Sequence, residues 1–392
     1  MPGLDDIANE EENELLFIDE ILTDDLLEKV TNIEKVLDSS ISDEEKFDAL
    51  TNFAKTDGGL VKDSVRKKVW PKLLGVDTSK IEPFRDHSSL VEHAEYEQVV
   101  LDVKRSLKRF PPSIPYEERL ALQDQLTQLI MRVIIEYPHL RYYQGYHDVA
   151  VTILLVVGED AAFQIMKVLS TNHLKDFMER TMEKTQYLLN HIYPLIKRRS
   201  PKLYEFLEKA ELGTMFCLPW FLTWYGHDLK HYRDVVRLYD FFLASPPLMS
   251  LYLAAAIVLY RQQDILSVEC DMAAIHSLLA QLPDEMPFDK LLSEASKLYS
   301  EYPPKSLEKE VEERFQLELE MRRPVSKRRA AARGGVGGRG RVSLWIVLMG
   351  VRRMAARQPV KTLLFTVSLA VGLFAYLRSE TLDFMLQFYS IR

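Results

Sequence analysis

Two short segments carry residue types suited to holding charge and positioning a polar ligand. The first is VVLDVKRSLKRF, residues 99–110. At about 100° per residue, Val99, Val100, Val103, Leu107 and Phe110 share one arc about 100° wide, and Arg105 projects roughly 190° from its centre. Arg105 is therefore expected to face away from the core. Asp102, three residues earlier, falls on the same outer side in this projection, where a carboxylate can hold a guanidinium in a fixed direction. With no further context the segment is a basic amphipathic helix with a solvated face.

The second segment is Arg141-Tyr142-Tyr143-Gln144-Gly145-Tyr146-His147-Asp148. It follows the break imposed by Tyr137–Pro138 and precedes the apolar run Val149 to Val157. Gln144 thus belongs to a loop or a helix start, beside a glycine that lets another backbone approach. A clustered aromatic loop is equally compatible with plain packing.

Other constellations fail on chemistry. His227 and His231 have i, i+4 spacing, but neither a nearby Glu nor a third ligand accompanies them, so no metal site is expected. Gly335, Gly337 and Gly340 spell G-x-G-x-x-G without a strand before it or a helix core after it. The chain has no Walker-type phosphate loop and no G-x-S-x-G elbow. It is expected to bind no nucleotide of its own.

The elements that must hold the two segments are helices. Between residues 61 and 320 only Gly75, Gly145, Gly158, Gly213 and Gly226 occur, too few for the turns of a sandwich or barrel. Leu122, Leu126, Leu129, Ile130, Val133 and Ile134 recur at helical spacing and stop at Tyr137–Pro138. Phe163–Leu169, Tyr187–Ile196, Val235–Leu243 and Ala273–Leu282 are spaced likewise, and no strand–helix alternation appears. Phe241 to Tyr260 is free of charge, but Pro246-Pro247 divides it, so it is expected to be core. Arg66 and Trp70 sit beside Val69, Leu73 and Leu74, a spacing that assigns them to structure.

Charge is distributed by segment. Across the 392 residues the formal net charge is -8, yet residues 1–60 carry -14, residues 61–320 carry -6 and residues 321–361 carry +12. The acidic head, with Leu15, Leu16, Ile18, Ile21, Leu22, Leu26 and Leu27 at amphipathic positions, is expected to be a mostly solvated, partly disordered leader. The two cysteines, Cys217 and Cys270, exclude a disulfide-stapled scaffold and a four-cysteine zinc site and fit a reducing compartment.

From Thr362 to Leu377 sixteen residues run without a charge between Lys361 and Arg378. They make about 24 Å of helix, or about 27 Å with snorkelling bases, which suits the thin bilayer of the endoplasmic reticulum. The preceding bases are expected to place the N-terminal side in the cytosol, and the stretch is expected to act as a tail anchor. Val342 to Val351 is too short to span and is expected to lie in the interface or to form one limb of a hairpin. The basic strip before it lacks interleaved aromatics and fits anionic lipid headgroups at least as well as RNA, so no nucleic acid partner is expected.

These motifs, in this order, resemble the TBC-domain Rab GTPase-activating proteins. R-x-x-x-W matches Arg66 and Trp70, I-x-x-D-x-x-R matches Val99, Asp102 and Arg105 with Val in place of Ile, and Y-x-Q matches Tyr142 and Gln144. Downstream, FCLPWFLTWYGH (Pro219, Trp220, Trp224, His227) and RLYDFFL (Arg237, Asp240) are similar to the family's later helices, with Tyr239 where Trp is common. The resemblance covers about residues 50–305. It implies an all-α, multi-helical TBC domain that accelerates GTP hydrolysis by a Rab partner, with Arg105 as arginine finger, Gln144 as glutamine finger, and Asp102 and Tyr142 in support. GTP and Mg would be held by the Rab, and the chain would need no cofactor of its own. Such fingers are worth about 10³–10⁵ in rate, or roughly 4–7 kcal/mol.

The expected organisation is an acidic leader (1–50), a TBC domain (51–305), a charged then basic Gly/Arg-rich linker (306–341), an interfacial basic segment (342–361), a single-pass membrane anchor helix (362–378) and a luminal tail (379–392). The resemblance further implies a Rab of the early secretory pathway, between endoplasmic reticulum and Golgi. The alternative is a non-catalytic, membrane-anchored Rab-binding adaptor or ER-shaping interaction protein, and ER-shaping membrane proteins are among the expected partners.

Overall fold

A computed structural model describes residues 23–78, 88–106 and 115–322, and no strand occurs among the described residues. The first 22 residues, Leu107 and Phe110, the basic linker beyond Arg322, the interfacial segment, the anchor and the tail lie outside them.

The helical body starts earlier than the charge pattern implies. Helices α1 (Asp24–Asp38) and α2 (Asp43–Lys55) bury Val30, Ile33, Leu50 and Ala54. A reciprocal capping box opens α2: Ser42 Oγ accepts from Glu45 N–H at 3.2 Å, and the Glu45 carboxylate accepts from Ser42 N–H at 3.0 Å. The leader expected over residues 1–50 is therefore folded from Asp24 onward, and its boundary falls inside α2. Charge counting registers only the outer faces of these helices, whereas their apolar stripes face the core.

Helix α3 (Asp63–Leu73), the short α4 (Ser88–Val91) and α5 (Tyr96–Ser106) lead to the long α6 (Tyr116–Glu136). The six apolar residues that set the period of α6 are all buried, and the helix stops at Tyr137, before Pro138. Next come α7 (Tyr146–Val157), nearly all of it buried, and α8 (Glu159–Thr171). Helix α7 packs against α3, α5, α6 and α8 and so lies at the centre of this half.

The apolar run Tyr187–Ile196 forms two helices rather than one, α9 (Glu183–Leu189) and α10 (Ile192–Arg199). Pro194 explains the break, because its ring would clash with the carbonyl of residue 190 in a continuous helix. Helices α11 (Pro201–Lys209) and α12 (Leu218–Leu222) follow, then α13 (Tyr232–Leu243) and α14 (Met249–Tyr260). The uncharged stretch 241–260 is core, as its prolines imply: every residue from Met249 to Val258 is buried. Among the described residues no helix is long and apolar enough to cross a membrane.

Helices α15 (Gln262–Ser267), α16 (Met272–Leu279), α17 (Phe288–Glu301) and α18 (Glu308–Arg322) complete the body. The domain does not end at residue 305. Leu307 and Val311 are fully buried, Arg314 stacks 3.4 Å from the Tyr193 ring centroid and bonds Glu208 at 2.6 Å, and Arg198 bonds Glu310 at 2.6 Å. The linker expected from 306 is folded up to Arg322.

Candidate functional site

Two polar centres stand out, and they differ in purpose. The first is built on Asp240 of α13, whose carboxylate is fully buried. It accepts from Arg66 Nε at 3.0 Å, from the Trp70 indole N–H at 2.8 Å and from the Leu60 backbone N–H at 2.9 Å. Arg66 also bonds Asp63 at 2.7 Å. Burial alone would lower the Arg66 pKa, but the Asp240 and Asp63 carboxylates outweigh it and hold the pKa above its usual value. Arg66 and Trp70 thus share one acceptor, which explains why an arginine and a tryptophan four residues apart occur together. Both side chains are buried, so neither offers anything to a ligand.

The second centre is at the end of α5. Arg105 leaves the helix with 63% of its side chain exposed, while Asp102 is fully buried beneath it and ion-pairs with it. This corrects the helical projection, which put Asp102 on the outer side. The loop before α7 covers that flank of α5, and Tyr142 satisfies the carboxylate, its hydroxyl donating to Asp102 Oδ2 at 3.1 Å. A carboxylate so placed has one oxygen for the guanidinium and one for the phenol. Arg105 is held at its base, with its outer face open to solvent.

Gln144, two residues beyond Tyr142, is exposed. The loop that carries it is clamped at several points. The Arg141 N–H donates to Met178 O at 2.8 Å, the Tyr142 N–H donates to Glu95 Oε2 at 3.1 Å, and the Tyr143 hydroxyl donates to Leu222 O at 2.9 Å. Tyr143 also meets Tyr146 and Phe177 edge to face, each at 5.7 Å. Gly145 then turns the chain into α7 at φ +113, a conformation that side chains resist, and a Cβ there would sit 3.0 Å from Thr223 Cγ2. The aromatic cluster therefore does pack, and in packing it presents Gln144.

Beneath the loop the Tyr142 hydroxyl lies 2.8 Å from Nδ1 of the buried His147. Burial pushes the Tyr142 pKa well above its usual value, so the phenol stays protonated. Burial likewise lowers the His147 pKa, partly opposed by the Asp148 carboxylate. Asp148 Oδ2 is 3.6 Å from His147 Nε2 and 3.5 Å from Nδ1 of the half-exposed His227. His227 thus turns toward α7, while His231 stands before the first turn of α13.

The structure joins Arg105, Asp102 and Tyr142 in one connected network and sets Gln144 on the same clamped loop, whereas Arg66 and Trp70 belong to the Asp240 centre. Glu95 and His147 are the members that sequence spacing does not single out. Glu95 precedes α5 and meets Tyr142 across 47 residues, a separation that no local pattern encodes.

The all-helical scaffold falls in a class that the family comparison makes explicit. Residues 63–266 match the Rab-GTPase-TBC domain, and the chain belongs to that family. It is 47% identical over 290 residues to TBC1 domain family member 20 of Homo sapiens, a match covering 74% of this chain and 71% of the relative. It is 34% identical over 266 residues to the GTPase-activating protein gyp10 of Schizosaccharomyces pombe, covering 66% of this chain and 70% of that one. The solved Ypt/Rab-GAP domain of Gyp1p superposes with a TM-score of 0.57 at 16% identity, over 71% of this chain and 99% of that domain, which establishes the shared fold.

Proposed function

We propose that this chain accelerates GTP hydrolysis by a Rab-family GTPase, with Arg105 as an arginine finger and Gln144 as a glutamine finger, in traffic between endoplasmic reticulum and Golgi. The observation that carries this reading is the exposed Arg105 gripped by the buried Asp102, which also binds the tyrosine two residues before Gln144. The Rab would hold GTP and Mg. This chain would add a guanidinium against the charge that develops on the phosphoryl oxygens and an amide that accepts a hydrogen bond from the attacking water. Because Asp102 aims the guanidinium beforehand, little reorganisation remains at the moment of reaction. The relative gyp10 is a GTPase-activating protein, which supports the activity.

Single-turnover phosphate release from a panel of GTP-loaded Rabs tests the assignment. Arg105→Ala and Gln144→Ala are each expected to lose about 10³-fold or more of the stimulated rate while the helical circular dichroism is unchanged. Undiminished rates in either variant would sink that finger. A wild-type chain that binds a Rab without accelerating hydrolysis would favour the adaptor role.

The same reading places the chain at the endoplasmic reticulum membrane through residues 362–378, with ER-shaping membrane proteins as further neighbours and the helical body in the cytosol. Removing 362–378 is expected to release the chain from carbonate-washed membranes. Retention would remove the anchor assignment.

A further inference from the structure

His147 sits in the first turn of α7 with its ring stacked on Tyr142, centroids 6.4 Å apart. The Tyr142 hydroxyl has one hydrogen and two neighbours, Asp102 Oδ2 at 3.1 Å and His147 Nδ1 at 2.8 Å. If the hydrogen points to the imidazole, the buried Asp102 oxygen faces a bare hydroxyl lone pair. If Nδ1 carries a hydrogen of its own, both contacts become hydrogen bonds in series, from imidazole to phenol and from phenol to carboxylate. On its other side Nε2 faces Asp148 Oδ2 at 3.6 Å, beyond hydrogen-bond reach, so that side exerts the weaker hold on the tautomer.

We propose that His147 is a positioning residue of the GTPase-activating site: its Nδ1–H donates to Tyr142, turns the phenol's single hydrogen onto Asp102 and so fixes the carboxylate that aims Arg105. This rests on Arg105 being the finger. It extends the site one layer inward, to a residue that touches neither the Rab nor the nucleotide. The structure provides the chain of contacts, Arg105 to Asp102 to Tyr142 to His147, without a gap.

The test is a substitution series in the full chain, read as single-turnover hydrolysis on a responsive Rab. His147→Phe keeps a ring but has no donor, whereas His147→Asn places an amide donor near the former Nδ1. His147→Phe is expected to lower kcat at least about tenfold with KM within about twofold, and His147→Asn is expected to recover most of that rate. Tyr142→Phe should match His147→Phe, and the double variant should lose no more than either alone. An undiminished rate in His147→Phe, an effect confined to KM, or additive losses would overturn the proposal. Arg105→Ala run in parallel separates the two readings. If it stays active the finger assignment fails, and if it is dead while His147→Phe is not, only the role of His147 fails. Should His147→Phe not fold, nitrogen NMR of the wild-type imidazole decides. A neutral ring protonated at Nδ1 supports the proposal, and one protonated only at Nε2 overturns it.

Discussion

At the scale of single residues, the site relies on asymmetry within short segments. Arg105 is mostly exposed and Asp102, one turn away, is wholly buried. The outward direction of Arg105 was legible in the apolar period of its helix, and the loop position of Gln144 in the proline before it and the glycine after it. The burial of Asp102 was not legible, because Tyr142, which satisfies it, lies 40 residues away in sequence. Arg105→Lys is expected to recover only a small part of the stimulated rate, since an ammonium lacks the planar fork that meets Asp102 on one edge and an anion on the other. A full rate in that variant would mean that bare charge suffices. Gly145 offers a sharper probe. At φ +113, with Thr223 Cγ2 3.0 Å from the place of a new Cβ, Gly145→Ala should cost about 1–3 kcal/mol and shift the loop that bears Gln144. Urea unfolding and kcat should fall together, and an unchanged kcat would show that the loop tolerates the shift.

At the scale of elements, distant helices are joined through cationic side chains that reach backbone carbonyls and carboxylates across the fold. Arg237 of α13 donates to the Ala54 and Thr56 carbonyls at 3.1 and 3.0 Å and to Asp289 at 2.7 Å. Lys29 of α1 donates to Asp57 O at 2.7 Å. These cations sit where the last turn of α2 leaves carbonyls unpaired. Ile33→Ala, fully buried in α1, should lower stability by about 2–5 kcal/mol in urea titration, and a loss under about 0.5 kcal/mol, the scale of a surface change, would return α1 to the status of a solvated leader. Asp240→Asn should cost about 3–5 kcal/mol, because Arg66 would stay buried with its charge only partly answered. Of the amphipathic positions read from the sequence only Leu26 and Leu27 lie in α1, and its buried residues, Val30 and Ile33, were not among them. What concealed its role was the acidity of the opposite face, since formal charge says nothing about which side of a helix meets solvent.

At the scale of the whole molecule, buried imidazoles are expected to contribute to the response to acid. Burial holds the pKa values of His147, His173 and His191 below the ordinary 6.5. Below about pH 6.5 the unfolded chain takes up protons at these rings that the folded chain refuses. Their stabilisation is therefore complete above that pH and lost as pH falls toward the folded values. The thermal midpoint should drop between about pH 7 and pH 5, and His173→Gln with His191→Gln should flatten the slope. An unaltered slope would assign acid sensitivity to other groups. The Asp240 centre also bears on how the chain is made. Arg66 and Trp70 find their acceptor 174 and 170 residues later in the sequence. At roughly 5–20 residues per second, a ribosome extends the chain for about 9–35 s between Arg66 and Asp240. During that interval the Arg66 guanidinium has only Asp63 of its own helix, and α3 cannot complete its buried ion pair until α13 has been made.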